Sequence, residues 1–249
     1  MNARGLGMES IFYILERGIA FLDGKGYGTS TIESEVRNVR RFVSSGILFD
    51  VGANTGAYTR ELLKQFGKSA SKIYCFEPSE ELVKAHLIFN DERVTVVNAA
   101  LGRENAVGVL YGTEKTSGLN SLTRRRLDHF GLEMKKVQDV QIITLDAFAA
   151  KNGIHQVDLL KLDVEGHELS VLGGASTLLA QKRINCIQFE FGGCNIDTRT
   201  YFQDFWYLLA VTHKFEIYRM SPLGLIKVIK YRETDESFLT TNYIAKRAD

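Results

Sequence analysis

Acidic residues and glycines occur where apolar runs of the sequence end. The stretch "LFDVGANTGAY" at 48–58 holds three such residues, Asp50, Gly52 and Gly56, together with the amide residue Asn54. Glycines at such a point let a backbone turn sharply or approach a ligand closely. A second apolar run, "YCFEP", ends at Glu77. The pattern predicts a small-molecule site at the ends of two strands.

Three kinds of ligand compete for this glycine turn. A P-loop needs G-x-x-x-x-G-K-[ST], but Ala57 follows the second glycine here. A dinucleotide site needs a glycine where Asn54 stands, because the backbone must approach a pyrophosphate. A nucleoside without phosphates needs only the tight turn, so we predict S-adenosylmethionine, with Glu77 on the ribose hydroxyls and Asp50 near the ammonium group. A nicotinamide-dependent oxidoreductase and a non-catalytic binding module are the rival hypotheses.

Further acidic residues could do chemistry on an acceptor. The stretch "LKLDVEGHELSVL" offers Asp163, Glu165 and His167 as general bases, and Glu190 ends the next strand in "CIQFEFGG". Alternation along a strand predicts that Asp163 and Glu165 point the same way, although helix capping is the alternative role for Glu165 and His167. Paired acids also suit a divalent cation. The sequence shows no full ligand set, so we favour a reaction without metal.

Positioning these residues requires an open parallel sheet. Apolar runs predict strands at 47–51, 72–78, 94–101, 106–112, 140–148, 157–164, 184–191 and 242–247, and helical patterns alternate with them at 57–67, 79–89, 165–181 and 200–213. Continuous apolar strands indicate a sheet covered on both faces. The fold class is therefore α/β, a doubly wound and mostly parallel sheet. A C-terminal antiparallel hairpin is predicted at 214–231, and an N-terminal helical extension at 8–22 and 31–46.

Composition excludes several partner classes. The 249 residues carry a net charge of +1, so no global field favours nucleic acid. The basic cluster "TRRRL" at 123–127 is interpreted as a solvated face, and no N/D-P-P-Y/F stretch indicates nucleobase methylation. No segment has the ~18 apolar residues that a membrane span needs. Three cysteines without a C-x-x-C pair favour a reducing compartment, so we expect a cytoplasmic protein.

Five motifs together resemble the FkbM-type S-adenosylmethionine-dependent methyltransferases: "FDVGANTGAYT", "CFEPSEEL", "NAALG", "LKLDVEGHELSVLGGA" and "QFEFGG". The resemblance implies a class I (Rossmann-like) methyltransferase fold and O-methylation of a hydroxyl. The acceptor expected is a sugar or glycan, with a small natural product or a lipid as the alternative. The resemblance also places Ser121 beside the cofactor, and Asp163 is a further candidate for binding it.

Domain organisation and the acceptor side complete the predictions. We predict an N-terminal helical extension over 1–46 and a methyltransferase domain over 47–249. The loop residues Asn195, Asp197 and Arg199 are candidates for contacting the acceptor, because they mix donors with acceptors. The sequence predicts neither the oligomeric state nor the role of the first 30 residues.

Overall fold

The computed structural model describes residues 8–28 and 32–248. Its strands are β1 (Gly46–Val51), β2 (Ala70–Phe76), β3 (Val94–Val97), β4 (Ala100–Leu101), β5 (Ala106–Gly112), β6 (Lys135–Ile143), β7 (Val157–Leu162), β8 (Ile184–Phe191), β9 (Phe215–Ser221), β10 (Gly224–Val228) and β11 (Thr241–Arg247). Its α-helices are α1 (Met8–Leu22), α2 (Ile32–Val39), α3 (Ala57–Phe66), α4 (Glu80–His86), α5 (Leu145–Lys151), α6 (Glu168–Gly173), α7 (Ser176–Ala180), α8 (Cys194–Thr198) and α9 (Phe202–Phe205).

Eight of these strands form one sheet in the order β10-β9-β11-β8-β7-β1-β2-β3. The run from β3 through β2, β1 and β7 to β8 is parallel, and β11, β9 and β10 pair antiparallel. The predicted fold class is confirmed, including the C-terminal hairpin. The strand order reverses at β1, which lies between β2 and β7. Ligands of such sheets bind outside the carboxyl ends of the strands at this point.

Both faces of the sheet are buried, as the continuous apolar strands predict. On β1, Phe49 packs into one apolar cluster and its neighbour Leu48 into the other. The same division separates Leu160 from Leu159 on β7 and Ile187 from Cys186 on β8. Successive side chains of a strand point to opposite faces, so a sheet covered twice needs apolar residues at consecutive positions.

A second sheet, β4-β6-β5, begins where a single strand was predicted at 94–101. Strand β3 ends at Val97, and the side-chain amide of Asn98 donates to the carbonyl oxygens of Glu77 and Pro78 at 2.9 and 3.1 Å. The predicted strand 140–148 is also wrong at its end, because α5 begins at Leu145. Thr144 caps this helix by accepting the Ala147 N–H at 3.1 Å, a local bond that competes with strand pairing.

The two ends of the chain depart from prediction in detail. Helix α1 has the predicted bounds, but its apolar side chains are exposed, among them Phe12 at 65% and Ile19 at 68%. Helix α2 ends at Val39 rather than continuing to 46, and residues 29–31 lie outside the described part of the chain. Beyond α9 the helix widens into a π-helical segment, Trp206–Thr212.

Across residues 8–28 and 32–248, no helix has the length and apolar character required to cross a membrane.

Candidate functional site

The glycine turn after β1 lies against the ends of both neighbouring strands. Gly52 and Gly56 have φ of 79° and 77°, and Asn54 has φ of 47°. The N–H groups of Gly52 and Ala53 both donate to the Phe76 carbonyl oxygen of β2, at 3.0 Å. A Cβ on Gly52 would lie 1.8 Å from the Asp163 carbonyl oxygen. Glycine is required at this position both by the backbone conformation and by the approach of the turn to the end of β7.

Glu77 joins the end of β2 to this turn. Its carboxylate accepts the backbone N–H groups of Asn54 at 2.8 Å and Ser79 at 2.9 Å. Burial raises the pKa of Glu77, and these two hydrogen bonds oppose that rise. The carboxylate is therefore held rigidly at the polar edge of the turn, where it also lines a cavity.

This first cavity has a volume of about 110 Å³. One part of its wall is apolar and comes from β2, α4 and the second sheet: Phe76, Leu82, Ala99, Leu101 and Leu110. The other part holds seven of the predicted site residues: Gly52, Asn54, Glu77, Ser121, Asp163, Glu165 and His167. The buried Asn54 Oδ1 has no hydrogen-bond partner in the described protein. A planar base against the apolar wall and a ribose at Glu77 would suit this division, so the residues present fit S-adenosylmethionine.

The loop between β5 and β6 is fastened over the first cavity. Ser121 Oγ donates to the Glu165 carbonyl oxygen at 2.9 Å, and Thr123 Oγ1 lies 2.9 Å from His167 Nε2. Arg125, with a side chain only 9% exposed, hydrogen-bonds the Glu165 carboxylate. The interpretation of the basic cluster as a solvated face is therefore wrong for Arg125. We call residues 117–125 the cover loop.

The turn after β7 sends its acidic side chains in different directions. Asp163 lies near Lys161, whereas Glu165 has φ of 54° and pairs with Arg125. The two carboxylates therefore have different partners, and strand alternation does not govern their directions, because β7 ends at Leu162 and Glu165 is left-handed. The buried Glu168 carboxylate accepts the N–H groups of Val164 and Gly166 at 3.0 and 3.3 Å. It thereby fixes the conformation of this turn.

Burial raises the pKa of two of these carboxyl groups. The pKa of Glu165 rises to about 8, since burial and the charge of Asp163 outweigh Arg125. The pKa of Glu168 rises to about 7, again through burial, and its Oε2 has no partner in the described protein. Burial lowers the pKa of His167. Burial at this turn therefore disfavours the charged forms of Glu165, Glu168 and His167.

Lys161 ties the glycine turn to two carboxylates. Its Nζ lies 3.2 Å from Asp50 Oδ1, 3.3 Å from Asp163 Oδ2 and 3.3 Å from the Gly52 carbonyl oxygen. Burial favours the neutral amine, but these carboxylates prevail and raise the pKa of Lys161. Asp50 is fully buried and also accepts the Thr59 hydroxyl at 2.7 Å. The predicted direct contact of Asp50 with a ligand ammonium needs correction, because its carboxylate binds Lys161 and Thr59 instead.

A second cavity of about 210 Å³ adjoins the first. The two share Gly52, Asn54 and Asp163, and the second adds polar residues from five elements: Glu35, Tyr58, Lys161, Glu190 and Asn242. Leu162 pairs with Phe189, which puts Glu190 beside Asp163 as the sequence predicts. Burial and the charges of Asp163 and Glu165 raise the pKa of Glu190 well above its usual value. Asp163 lies where the two cavities meet.

Some predicted roles do not match these positions. Asn195 is fully buried, accepting the Gly192 N–H and donating to the Thr200 hydroxyl, both at 2.8 Å. It therefore holds its own loop and is not available to an acceptor. Gly56 packs against the side chains of Leu87 and Phe89, since a Cβ there would lie 2.8 Å from each of them. Its role is therefore in the packing of the turn. Over the described ranges, no group of three or more His, Cys, Asp or Glu residues is arranged to hold a metal ion.

Sequence reasoning missed several residues of this site. Lys161 carried a usable signal, since a lone lysine inside the apolar run "LLKLDV" must find a partner if the strand is buried. Glu35 and Gln188 carried none, because they are 153 residues apart and meet only in the folded chain. Arg125 lies between two other arginines, so the sequence does not show which of the three is buried.

Comparisons with known proteins agree with this geometry. Residues 50–216 match the family model described as Methyltransferase FkbM domain. The methyltransferase sdnD of Sordaria araneosa is 26% identical over 165 residues, covering 55% of this chain and 63% of that protein. Methyltransferase 1 of Beauveria bassiana is 27% identical over 155 residues, covering 55% and 61%. The chain thus spans less than two thirds of the length of these relatives.

Solved structures with similar backbones include methyltransferases. The crystal structure of an FkbM methyltransferase from Methylobacillus flagellatus has 17% identity and a TM-score of 0.47, covering 82% of this chain and 44% of that one. The plantazolicin methyltransferase BpumL in complex with S-adenosylhomocysteine (SAH) has 10% identity and a TM-score of 0.46, covering 97% and 91%.

Proposed function

The chain belongs to the FkbM methyltransferase family, as its motifs predicted, and we propose that it transfers a methyl group from S-adenosylmethionine to a hydroxyl group of a sugar or glycan. The family match favours this reaction over the nicotinamide-dependent alternative. One observation supports the acceptor side of the proposal. A cavity lined by carboxylates opens directly from the cavity that fits the cofactor, and Asp163 belongs to both.

The residues of the first cavity have defined parts in this proposal. The cofactor supplies an activated methyl group when bound. The apolar wall that includes Phe76 and Leu110 would hold its base, and Glu77 would hold its ribose hydroxyls. The cover loop excludes water from the first cavity, because Ser121 and Thr123 tie it to the turn after β7. Positioning of this kind can contribute ~7–11 kcal/mol to the reaction.

Proton removal from the acceptor is best assigned to Glu190. Among the candidate bases, Glu165 is paired with Arg125, His167 contacts Thr123, and Asp163 is paired with Lys161. Within the described protein, no hydrogen-bond donor reaches the Glu190 carboxylate, which lines the second cavity. A base works best when its pKa lies near the working pH, and burial moves the pKa of Glu190 upward from its acidic value. Asp163 then supports the acceptor at the junction.

The test uses labelled S-adenosylmethionine with panels of glycosides, phenols, lipids and peptides. Label should appear on a glycoside, and Glu190→Gln should lower turnover ~10²–10⁴-fold while SAH affinity stays within twofold. Glu33→Gln, an exposed acid on α2, is the matched control and should leave both unchanged. Label on phenols or lipids alone would reject the sugar and keep the transfer reaction. Full turnover of Glu190→Gln would reject the base assignment.

Two organisational proposals accompany this function. We keep the division into an extension over 1–46 and a methyltransferase domain over 47–249, supported by the start of β1 at Gly46. The extension also contributes Glu35 to the second cavity. The cytoplasm stays the proposed location, supported by three buried free cysteines.

A further inference from the structure

We propose that the second cavity binds the acceptor and selects uncharged or cationic hydroxyl compounds against anionic ones, with Glu35 as the residue that sets this selection. The inference rests on the proposed function and narrows its substrate class. It concerns a residue outside the region 50–216 that carries the family match. The N-terminal extension would therefore contribute directly to the choice of substrate.

The position of the cavity supports an acceptor role. A methyl transfer needs the acceptor oxygen within contact distance of the methyl group, so the acceptor site must open into the cofactor site. The second cavity meets the first at Gly52, Asn54 and Asp163. Its remaining wall comes from α2, the start of α3, β7, β8 and β11, and so it offers a surface distinct from the apolar wall of the first cavity.

The charges around the cavity point to the ligand class. Among the described residues, three carboxyl groups line it, those of Glu35, Asp163 and Glu190, and one ammonium, that of Lys161. Burial disfavours the charge of Glu190, so the negative charge of this wall comes mainly from Glu35 and Asp163. That ammonium is already paired with Asp50 and Asp163. An anionic acceptor would therefore meet an excess of negative charge at close range, where a partly buried site screens it weakly. Hydroxyl groups, in contrast, can donate to each of these carboxylates.

Glu35 is held in place by a buried polar chain. Gln188 Nε2 donates to Glu35 Oε2 at 2.7 Å, and Tyr58 Oη donates to Gln188 Oε1 at 2.5 Å. The tyrosine hydroxyl fixes the orientation of the glutamine amide, so its N–H group faces Glu35. Only 7% of Glu35 is exposed. A carboxyl group fixed in this way stays at one position in the wall, which is what discrimination between acceptors requires.

The charge at the cavity can be measured without knowing the acceptor. The three native cysteines are buried, so Ala57→Cys, at an exposed position lining the cavity, places one reactive thiol there. In the presence of saturating SAH, this thiol is labelled in separate reactions with two methanethiosulfonate reagents of matched size. One reagent carries a trimethylammonium group and the other carries a sulfonate group. The ratio of the cationic rate to the anionic rate reports the local potential.

We expect Glu35→Gln to lower this ratio about threefold or more, and Glu33→Gln on the same helix to leave it unchanged. Glu35→Asp, which keeps the charge, should restore most of the ratio. Thermal unfolding of each variant identifies any that does not fold, and if Glu35→Gln is one of them, the acceptor comparison below decides. A ratio that Glu35→Gln does not change, or that both glutamine variants change equally, overturns the role of Glu35.

A second arm tests the acceptor directly with methyl glucoside, methyl glucosaminide and methyl glucuronide, together with phenol and hydroxybenzoate. Transfer to the neutral or amino compound, at least tenfold faster than to the matching acid, supports the selection. Equal transfer to an acid overturns it while leaving the proposed function intact. Transfer only within the phenol pair rejects the sugar, and the same comparison within that pair then decides the charge selection. If no compound is methylated, the thiosulfonate ratio decides.

Discussion

Gly52→Ala should damage both the fold and the cofactor site, by an amount that the structure allows us to estimate. The added Cβ would lie 1.8 Å from the Asp163 carbonyl oxygen, which is backbone and cannot rotate away. The left-handed conformation at φ of 79° adds ~1–2 kcal/mol of strain for a residue with a side chain. Overpacking against a fixed group adds ~1–3 kcal/mol. The free energy of unfolding should fall by about 2–5 kcal/mol.

Alanine substitutions at two other glycines separate the cost of backbone strain from the cost of steric overlap at the new Cβ. Gly131→Ala has strain alone, because its φ of 70° and ψ of 20° are left-handed and nothing lies within 4 Å of the new Cβ. It should cost ~1–2 kcal/mol. Gly56→Ala should fall between the two, because its nearest atoms, at 2.8 Å, are the ends of the Leu87 and Phe89 side chains, which can shift.

Urea unfolding followed by the fluorescence of the single tryptophan, Trp206, measures all three variants. Calorimetry with SAH measures the site at the same time. Gly52→Ala should weaken SAH binding at least tenfold, because the end of β1 must move away from β7, whereas Gly131→Ala should bind as the native chain does. If Gly52→Ala costs no more than Gly131→Ala, the close approach of the turn to Asp163 is not the reason for glycine there.

Three further predictions follow from the same site. Glu77→Ala should weaken SAH binding by ~1–3 kcal/mol in calorimetry, because it removes an acceptor from the ligand and from two backbone N–H groups; unchanged affinity would exclude Glu77 from the site. For Glu168, burial raises the pKa to about 7 in the folded chain from 4.5, so its contribution to stability is present at low pH and is lost as pH rises between these values. Glu168→Gln should therefore gain ~1–3 kcal/mol relative to the native chain between pH 5 and pH 8 in denaturant titrations, and a constant difference would contradict this. Arg125→Met should speed SAH dissociation about tenfold in stopped-flow measurements, because it releases the cover loop from Glu165, while Arg126→Met, at an exposed neighbour, should not.

Much of the architecture was predictable because it depends on patterns among residues that are close in the sequence. Continuous apolar runs predicted the strands of the parallel sheet, and glycines after β1 predicted the turn. Prediction failed where a single side chain redirected the chain, as when Asn98 ended β3 and Thr144 began α5. These bonds involve one donor and one acceptor each, so they leave no periodic signal in the sequence.

The sequence by itself determined the fold class and the family, and it named seven residues that line the first cavity, since these depend on hydrophobic period and on short motifs whose parts are close in the chain. Only the tertiary structure decided which partner each carboxylate has, and therefore which of them can act on a ligand. It buried Asp50 against Lys161, turned Glu165 toward Arg125 and left Glu190 facing a cavity. It also brought Glu35 to Gln188 across 153 residues. The role of a carboxylate depends on its burial and on the charges within a few ångströms, and those neighbours come from strands and helices that are distant in the chain.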